Sequence, residues 1–369
     1  MTRPRLRDLG LLVGDLPTGP ENAITDVAGV RVGHTTLISG EGPLCPGQGP
    51  VRTGVTVVLP HGEDPYRRKV RGAVHTINGF GKVRGFEEVR ELGLVESPIA
   101  LTNTLNVGLV ADALVQVAIR QNPGIGIRTS TPNVLVGETH DGYLSDIQGR
   151  HVRAEHVWAA IESAQPGPVV EGAVGAGTGT SCFGWKGGIG TSSRVVPGEA
   201  GGYTVGALVQ SNFGRPEELL VCGFPIGRHL RPPAASPAES SPGSSIMIVL
   251  ATDAPLTSRQ LGRLCVRVGA GLARTGSVYG HGSGDFVIAF STTWPVELSP
   301  ASFTTTQTVL ADEGRAMRWL FPAVADSVEE SVLNSLCQAE TMTGRDGHVR
   351  YGLPVEEVVA LVGACRPER

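Results

Sequence analysis

Aromatic side chains are scarce in this chain, 5% of 369 residues, and lysine occurs only three times. With few large rings, the core falls to Val, Ala, Leu and Ile. Together with 51 glycines, this points to layered α/β or α+β structure with many tight turns. The glycines follow no period, which excludes a collagen-like chain. Charge of one sign is also lacking: 31 basic against 35 acidic residues leave −4, and no basic patch of the kind a nucleic-acid binder needs is evident. No apolar run approaches bilayer-spanning length. The basic start "MTRPRLR" has no apolar stretch behind it, so neither a signal peptide nor a membrane anchor is expected. These absences describe a soluble, cytoplasmic protein. None of the six cysteines sits in a Cys-x-x-Cys pair, so core packing is expected of them rather than zinc or redox chemistry.

The common chemical motifs are missing too. "GAGTGTSCFGWKGGIGTSS", 175–193, invites a phosphate-loop reading. A Walker loop, however, needs adjacent Gly-Lys followed by Ser or Thr, and here Trp185 separates Gly184 from Lys186 while Gly187 follows. The glycines at 175, 177 and 179 are spaced by two and miss the dinucleotide pattern. A compact turn with close backbone packing is the expected use. No G-x-S-x-G elbow and no H-E-x-x-H occurs, and the nine histidines stand singly, so no metal site is indicated by spacing.

What is present is a succession of strands and helices. "GVRVGHTTLI", "GVTVVLP", "YTVGALVQSN" and "GDFVIAFST" are β-branched runs bounded by turn residues. "NVGLVADALVQVAIRQN" and "RAEHVWAAIESA" have helical spacing, and Pro123 closes the first. Thr257 and Gln260 have capping-box spacing ahead of an apolar stripe at Leu261, Leu264, Val268 and Leu272. Ser327 and Glu330 repeat that spacing, predicting a second helix start that runs through Leu336. Regular βαβ alternation is absent, so a sheet-on-sheet core covered by helices is expected.

One junction stands out. Residues 228–243 are rich in Pro, Ala and Ser and read as a flexible tether. They run without a turn into "SSIMIVLATDAP", the most apolar segment of the chain, with Ser244 and Ser245 at the boundary. A serine hydroxyl is a weak nucleophile without a base beside it. If the peptide bond before such a serine is cut, its own α-amine, with a pKa of about 7.7–8.0, becomes a general base suited to neutral pH. Composition by itself favours the plainer arrangement, an interdomain linker before a strand that happens to begin with Ser. The tether divides the sequence but not the fold, because the strands after it need partners from the first part.

Several short motifs in order bear on that choice: "INGFGK", "LTNT", "GETHDGYLSDIQGR", "KGGIGTSSR", "LVQSNFG", "SSIMIVLATDAPL" and "ARTGSVYGHGSGDFVIAFST". They span nearly the whole chain, and it resembles the DmpA/β-aminopeptidase family of self-processing hydrolases. The resemblance implies an α+β fold, a four-layer αββα sandwich shared with ornithine acetyltransferases. It also implies a single domain, 1–369, that cuts itself into 1–244 and 245–369. The activity implied is release of N-terminal residues from small peptides, amides or esters with a free amino terminus. Neither cofactor nor metal is implied, and the implied assembly is a homo-oligomer of processed units.

Residue by residue, the resemblance makes Ser245 the nucleophile, with Ser244 as the neighbour that could take its place at the cut. Asn212 becomes the oxyanion donor, and Ser283 and Asp285 the pair that holds the nucleophile and its amine. Some β-aminopeptidases carry Glu at the Asp285 position. Tyr143 and Glu138 become residues lining the substrate site, Glu138 for the substrate ammonium. The family more often has Asn where His140 and Ser145 stand. Lys186 lies in a shared motif without an assigned role beyond support near the site. Two alternatives stay open: an acyltransferase related to ornithine acetyltransferase, which uses Thr where this chain has Ser, and an uncleaved, non-catalytic protein of the same fold.

Overall fold

The computed structural model describes residues 3–233 and 244–364. Residues 234–243, most of the expected tether, lie outside the described residues. Residues 228–233 do not hang free: Arg231, Pro232 and Pro233 border the cavity discussed below.

Two sheets carry the fold. The smaller has β1 (Arg31–Ser39), β2 (Val51–Leu59), β5 (Ile99–Asn103) and β6 (Leu135–Thr139) in that spatial order. The larger contains β3 (Arg68–Gly79), β4 (Leu94–Val95), β9 (Ile189–Val195), β10 (Thr204–Asn212), β11 (Ser244–Thr252) and β12 (Ser283–Glu297). Its order is β4-β3-β12-β11-β10-β9. Short hairpins join β7 (Ser181–Cys182) to β8 (Trp185–Lys186) and β13 (Met342–Thr343) to β14 (Val349–Arg350). The helices are α1 (Phe86–Leu92), α2 (Val107–Gln121), α3 (Ala154–Glu162), α4 (Ser258–Arg274), α5 (Glu313–Gln338) and α6 (Val355–Ala364).

Period-two alternation explains the layering. In β11, Ile246, Ile248 and Leu250 enter the core shared with α4 and α5, whereas Met247, Val249 and Ala251 enter the core between the sheets. In β12, Val287 and Ala289 take the helix side while Phe286, Ile288 and Phe290 take the sheet side. Val55, Val57, Ala100 and Val136 of the smaller sheet meet α2 and α3 in a third core. Four layers result, helix–sheet–sheet–helix, as the αββα expectation requires. A strand buried on both faces reads as an unbroken apolar run, which accounts for "IMIVLA". Each such Ile, Val or Leu contributes about 1.5–3 kcal/mol on burial. The strands after the tether do take partners from the first part: β11 lies between β10 and β12, and β12 pairs with β3.

The Thr257–Gln260 capping box caps α4, and its four stripe residues are buried. The second expected box is not a helix start. Helix α5 begins at Glu313, where the Asp312 side chain accepts the Arg315 N–H at 3.0 Å, and it passes through Pro322. Proline forfeits one N–H there, and the buried apolar face carries the helix across the loss. Ser327 is mid-helix, its hydroxyl donating to the Val205 carbonyl of β10, and Glu330 is held by Arg194 and Arg7. Both residues serve helix-to-sheet contacts, and their spacing is simply that of one helix face. The glycine-rich stretch 175–188 packs backbone on backbone: a Cβ at Gly177 would lie 2.5 Å from the Ile189 nitrogen.

Candidate active site

The strand register assembles the site. Ser245 begins the buried part of the central strand β11; it pairs with Asn212 in the antiparallel neighbour and with Gly284 in the parallel one. Paired residues share a face, so the Ser245 and Asn212 side chains project from the same side of the sheet. Ser245 is 6% exposed. Its Oγ donates to the Ser244 carbonyl at 2.6 Å and accepts from the Gly284 N–H at 3.3 Å. The chain is continuous here, so this is the geometry of the uncut form.

Two buried polar atoms at this strand end have no hydrogen-bond partner among the described residues: Asn212 Nδ2, a donor, and Asp285 Oδ2, an acceptor. Buried polar groups are seldom left so. Asn212 Oδ1 accepts the Ser181 N–H at 2.9 Å, which fixes the amide's orientation. The other Asp285 oxygen, Oδ1, accepts the Ser283 hydroxyl at 2.5 Å. Burial pushes the Asp285 carboxyl up to about 6, against the downward pull of the Ser283 hydroxyl and the Ile246 N–H.

A cavity of about 810 Å³ opens over this strand end. Ser244, Asn212 and Ser283 line it with Ser181, Arg215, Glu218, Arg350, Tyr351 and the loop 277–282. Tyr143 and Glu138 do not border it. Tyr143 is one layer behind the wall, stacked on His348 at 4.6 Å and covered on its ring by the Arg350 guanidinium at 3.5 Å. Glu138 lies across the inter-sheet gap at the end of β6. Its neighbour Gly137 lets Met247 in, since a Cβ there would be 2.3 Å from that side chain. Glu138 accepts the Lys82 N–H at 2.8 Å and the Thr104 hydroxyl, and burial raises its carboxyl above the usual range. His140 is buried enough for its imidazole to be pushed down, and Ser145 Oγ accepts the Arg52 N–H at 3.0 Å. Lys186 is fully buried, with Nζ donating to three carbonyls.

The strand register thus brings Ser245, Asn212, Ser283 and Asp285 to one strand end, and of these Asn212 and Ser283 border the cavity while Ser245 and Asp285, like Tyr143 and Glu138, do not. Sequence reasoning missed Arg350, Ser181 and Gly284. Gly284 stands inside the quoted "HGSGDF". Ser181 and Arg350 carry no sequence signal, because only folding brings 181 and 350 beside 212.

A serine at the end of a central strand in an αββα sandwich, with a spare buried donor and a spare buried acceptor beside it, defines the class of Ntn-type hydrolases. Comparison with known proteins sharpens this. The family model for peptidase family S58 matches residues 22–350. The β-peptidyl aminopeptidase BapA of Sphingosinicella microcystinivorans is 43% identical over 98% of this chain and 93% of its own. A crystal structure of a Pyrococcus horikoshii protein superposes with TM-score 0.92 at 47% identity, covering 98% of this chain and 99% of the other. The L-aminopeptidase D-Ala-esterase/amidase of Ochrobactrum anthropi is described as a prototype of the serine aminopeptidases and a variant of the Ntn hydrolase fold. It superposes at 0.89 with 37% identity, covering 98% and 99%. The chain belongs to peptidase family S58. It is a hydrolase of the aminopeptidase kind that acts on peptides or amides, and neither the acyltransferase nor the non-catalytic alternative is favoured. Among the described residues, no helix is long and apolar enough to cross a membrane.

Proposed function

We propose that the chain cuts itself between Ser244 and Ser245 and then works as an N-terminal-serine aminopeptidase, with Ser245 as nucleophile, its freed α-amine as base and Asn212 as oxyanion donor. The observation that carries this reading is the pair of unsatisfied buried atoms beside Ser245, one donor and one acceptor. Such atoms cost free energy unless a bound species fills them. A developing oxyanion fills the first and an α-ammonium the second.

In the first turnover the Ser245 Oγ, already against the Ser244 carbonyl, attacks that carbonyl carbon. The C–N bond breaks, the nitrogen takes the hydroxyl proton, and an ester forms. Water hydrolyses the ester to a Ser244 carboxylate and a free Ser245 amine. In later turnovers the hydroxyl attacks the substrate's amide or ester carbonyl while the α-amine takes its proton. The oxyanion turns toward Asn212 Nδ2, a contact worth about 3–4 kcal/mol in a comparable hydrolase. The departing amine recovers the proton from the α-ammonium. The α-amine then deprotonates a water that hydrolyses the acyl-enzyme, releasing a free amino acid. Asp285 and Ser283 hold the amine between these steps.

Glu138, buried and facing the same gap, binds the substrate's α-ammonium and makes the enzyme an exopeptidase. Tyr143 supports the wall through Arg350. The substrates are small peptides, amides or esters with a free amino terminus, the chemistry named for the relatives. The enzyme works in the cytoplasm as a homo-oligomer. Buried thiols at Cys182, Cys265 and Cys337, none in a disulfide, fit a reducing compartment, and exposed Phe303 and Ile127 fit a subunit contact. Denaturing mass spectrometry of purified protein is expected to find two chains of 244 and 125 residues, the second being 369 − 244. Ser245→Ala is expected to give one uncut, inactive chain. An uncut wild-type protein with full turnover, or a processed and active Ser245→Ala, refutes the reading.

A further inference from the structure

Lys186 is wholly buried, and its ammonium forms no ion pair with any carboxylate among the described residues; it donates instead to the carbonyls of Gly177 at 3.0 Å, Thr180 at 2.9 Å and Gly187 at 2.7 Å. Burying a cation is costly unless its donors are satisfied, and here three N–H bonds meet three acceptors. All three carbonyls belong to the segment that wraps the end of β10.

One of them bears directly on the reaction. The Thr180 carbonyl and the Ser181 N–H are two sides of a single planar peptide unit. Lys186 grips the carbonyl side, and the N–H side donates to Asn212 Oδ1 at 2.9 Å. An N–H can be accepted only by the oxygen end of the amide, so this bond decides which end of Asn212 is left over. The end left over is Nδ2, buried and without a partner among the described residues. Arg350 also reaches Ser181, but through the side chain: its Nε donates to the Ser181 Oγ at 3.0 Å. That contact leaves the peptide plane free to rotate.

We propose that Lys186 is a positioning residue for the oxyanion donor: by holding the Thr180–Ser181 peptide plane it keeps the Asn212 amide turned with its N–H₂ end toward the reacting carbonyl. This rests on the oxyanion role of Asn212 proposed above.

Protonation matters to this clamp. A neutral amine has two N–H bonds for three carbonyls, so one carbonyl would face a lone pair. Burial pushes Lys186 down to about 7; Cys182 and Asp141 oppose the fall, and Arg350 adds to it. The Cys182 thiol is itself pushed up to about 12 by burial, and Asp141 to about 7. Turnover that depends on the clamp is therefore lost as pH rises through the Lys186 transition. The α-amine base acts in the opposite sense, since it is active only when deprotonated.

The test uses the full-length, processed protein and an aminoacyl p-nitroanilide, in a double-mutant cycle of Lys186→Met and Asn212→Ala. Asn212→Ala is expected to lower kcat by about 10²–10³-fold. Lys186→Met is expected to lower kcat by about ten- to a hundredfold, the scale of a small misplacement, with KM nearly unchanged. The double variant is expected to be no slower than Asn212→Ala alone. Additive losses, or a Lys186→Met protein with a lowered melting temperature and a normal kcat, overturn the proposal. A normal kcat in Asn212→Ala overturns the oxyanion assignment instead. Should Lys186→Met fail to fold or process, the pH profiles of wild type and Asn212→Ala decide. An alkaline fall in kcat confined to the wild type supports the clamp, and the same fall in both overturns it.

Discussion

Replacing Asp285 with Asn removes one charge from the strand end while keeping the shape of the side chain. Asp285 pairs in register with Ile246, one residue beyond the nucleophile, and its Oδ2 has no partner among the described residues. A carboxylate within about 4–6 Å of an ammonium, at an effective dielectric constant near 20, stabilises it by about 3–4 kcal/mol. That is roughly two to three pKa units, inside the range of about 1–3 seen for such pairs. The sign follows from the chemistry. Only the neutral amine accepts the hydroxyl proton, so kcat/KM rises with pH through the amine's transition, and the carboxylate holds that transition at higher pH. In Asp285→Asn the rising limb is therefore expected to move down by about one to three pH units. The shift in the native enzyme applies only where Asp285 is ionised, above its own value of about 6, so the two limbs converge at lower pH. The assay is p-nitroanilide release by processed protein from pH 5 to 10, together with mass spectrometry to verify the cut. A rising limb that stays in place, or moves up, would refute a direct Asp285–amine contact.

Two further outcomes concern the frame. Glu330→Gln leaves Arg194 buried and uncompensated, because that pair sits at 2.5 Å with both side chains fully buried and Arg7 joining at 2.9 Å. A loss of about 3–5 kcal/mol in urea-unfolding free energy is expected, and a loss under about 1 kcal/mol would mean the network is not a unit. Gly190→Ala puts a Cβ 1.9 Å from the Ser331 carbonyl, forcing β9 and α5 apart. A destabilisation of roughly 1–3 kcal/mol is expected, measured the same way, and an unchanged midpoint would contradict the close approach.

The amino-acid sequence by itself determined several strands, helix α4 and the apolar run that becomes β11. The β-branched runs, the Thr257 cap and the two-faced apolar run after Ser245 are local signals, since period and capping chemistry act over a few residues. It failed where a local pattern had a tertiary cause. Ser327 and Glu330 have a cap's spacing, but one reaches β10 and the other a buried arginine. Tyr143 lies against Arg350 and His348, and Glu138 against Lys82 and Thr104, neighbours that no motif spells out. Only the tertiary structure set Asn212 and Gly284 on either side of Ser245. Strand pairing joins residues far apart in the chain, and register is fixed by burying both faces of β11 at once. The same closure brought the Thr180–Ser181 peptide between Lys186 and Asn212, a contact for which no spacing rule exists.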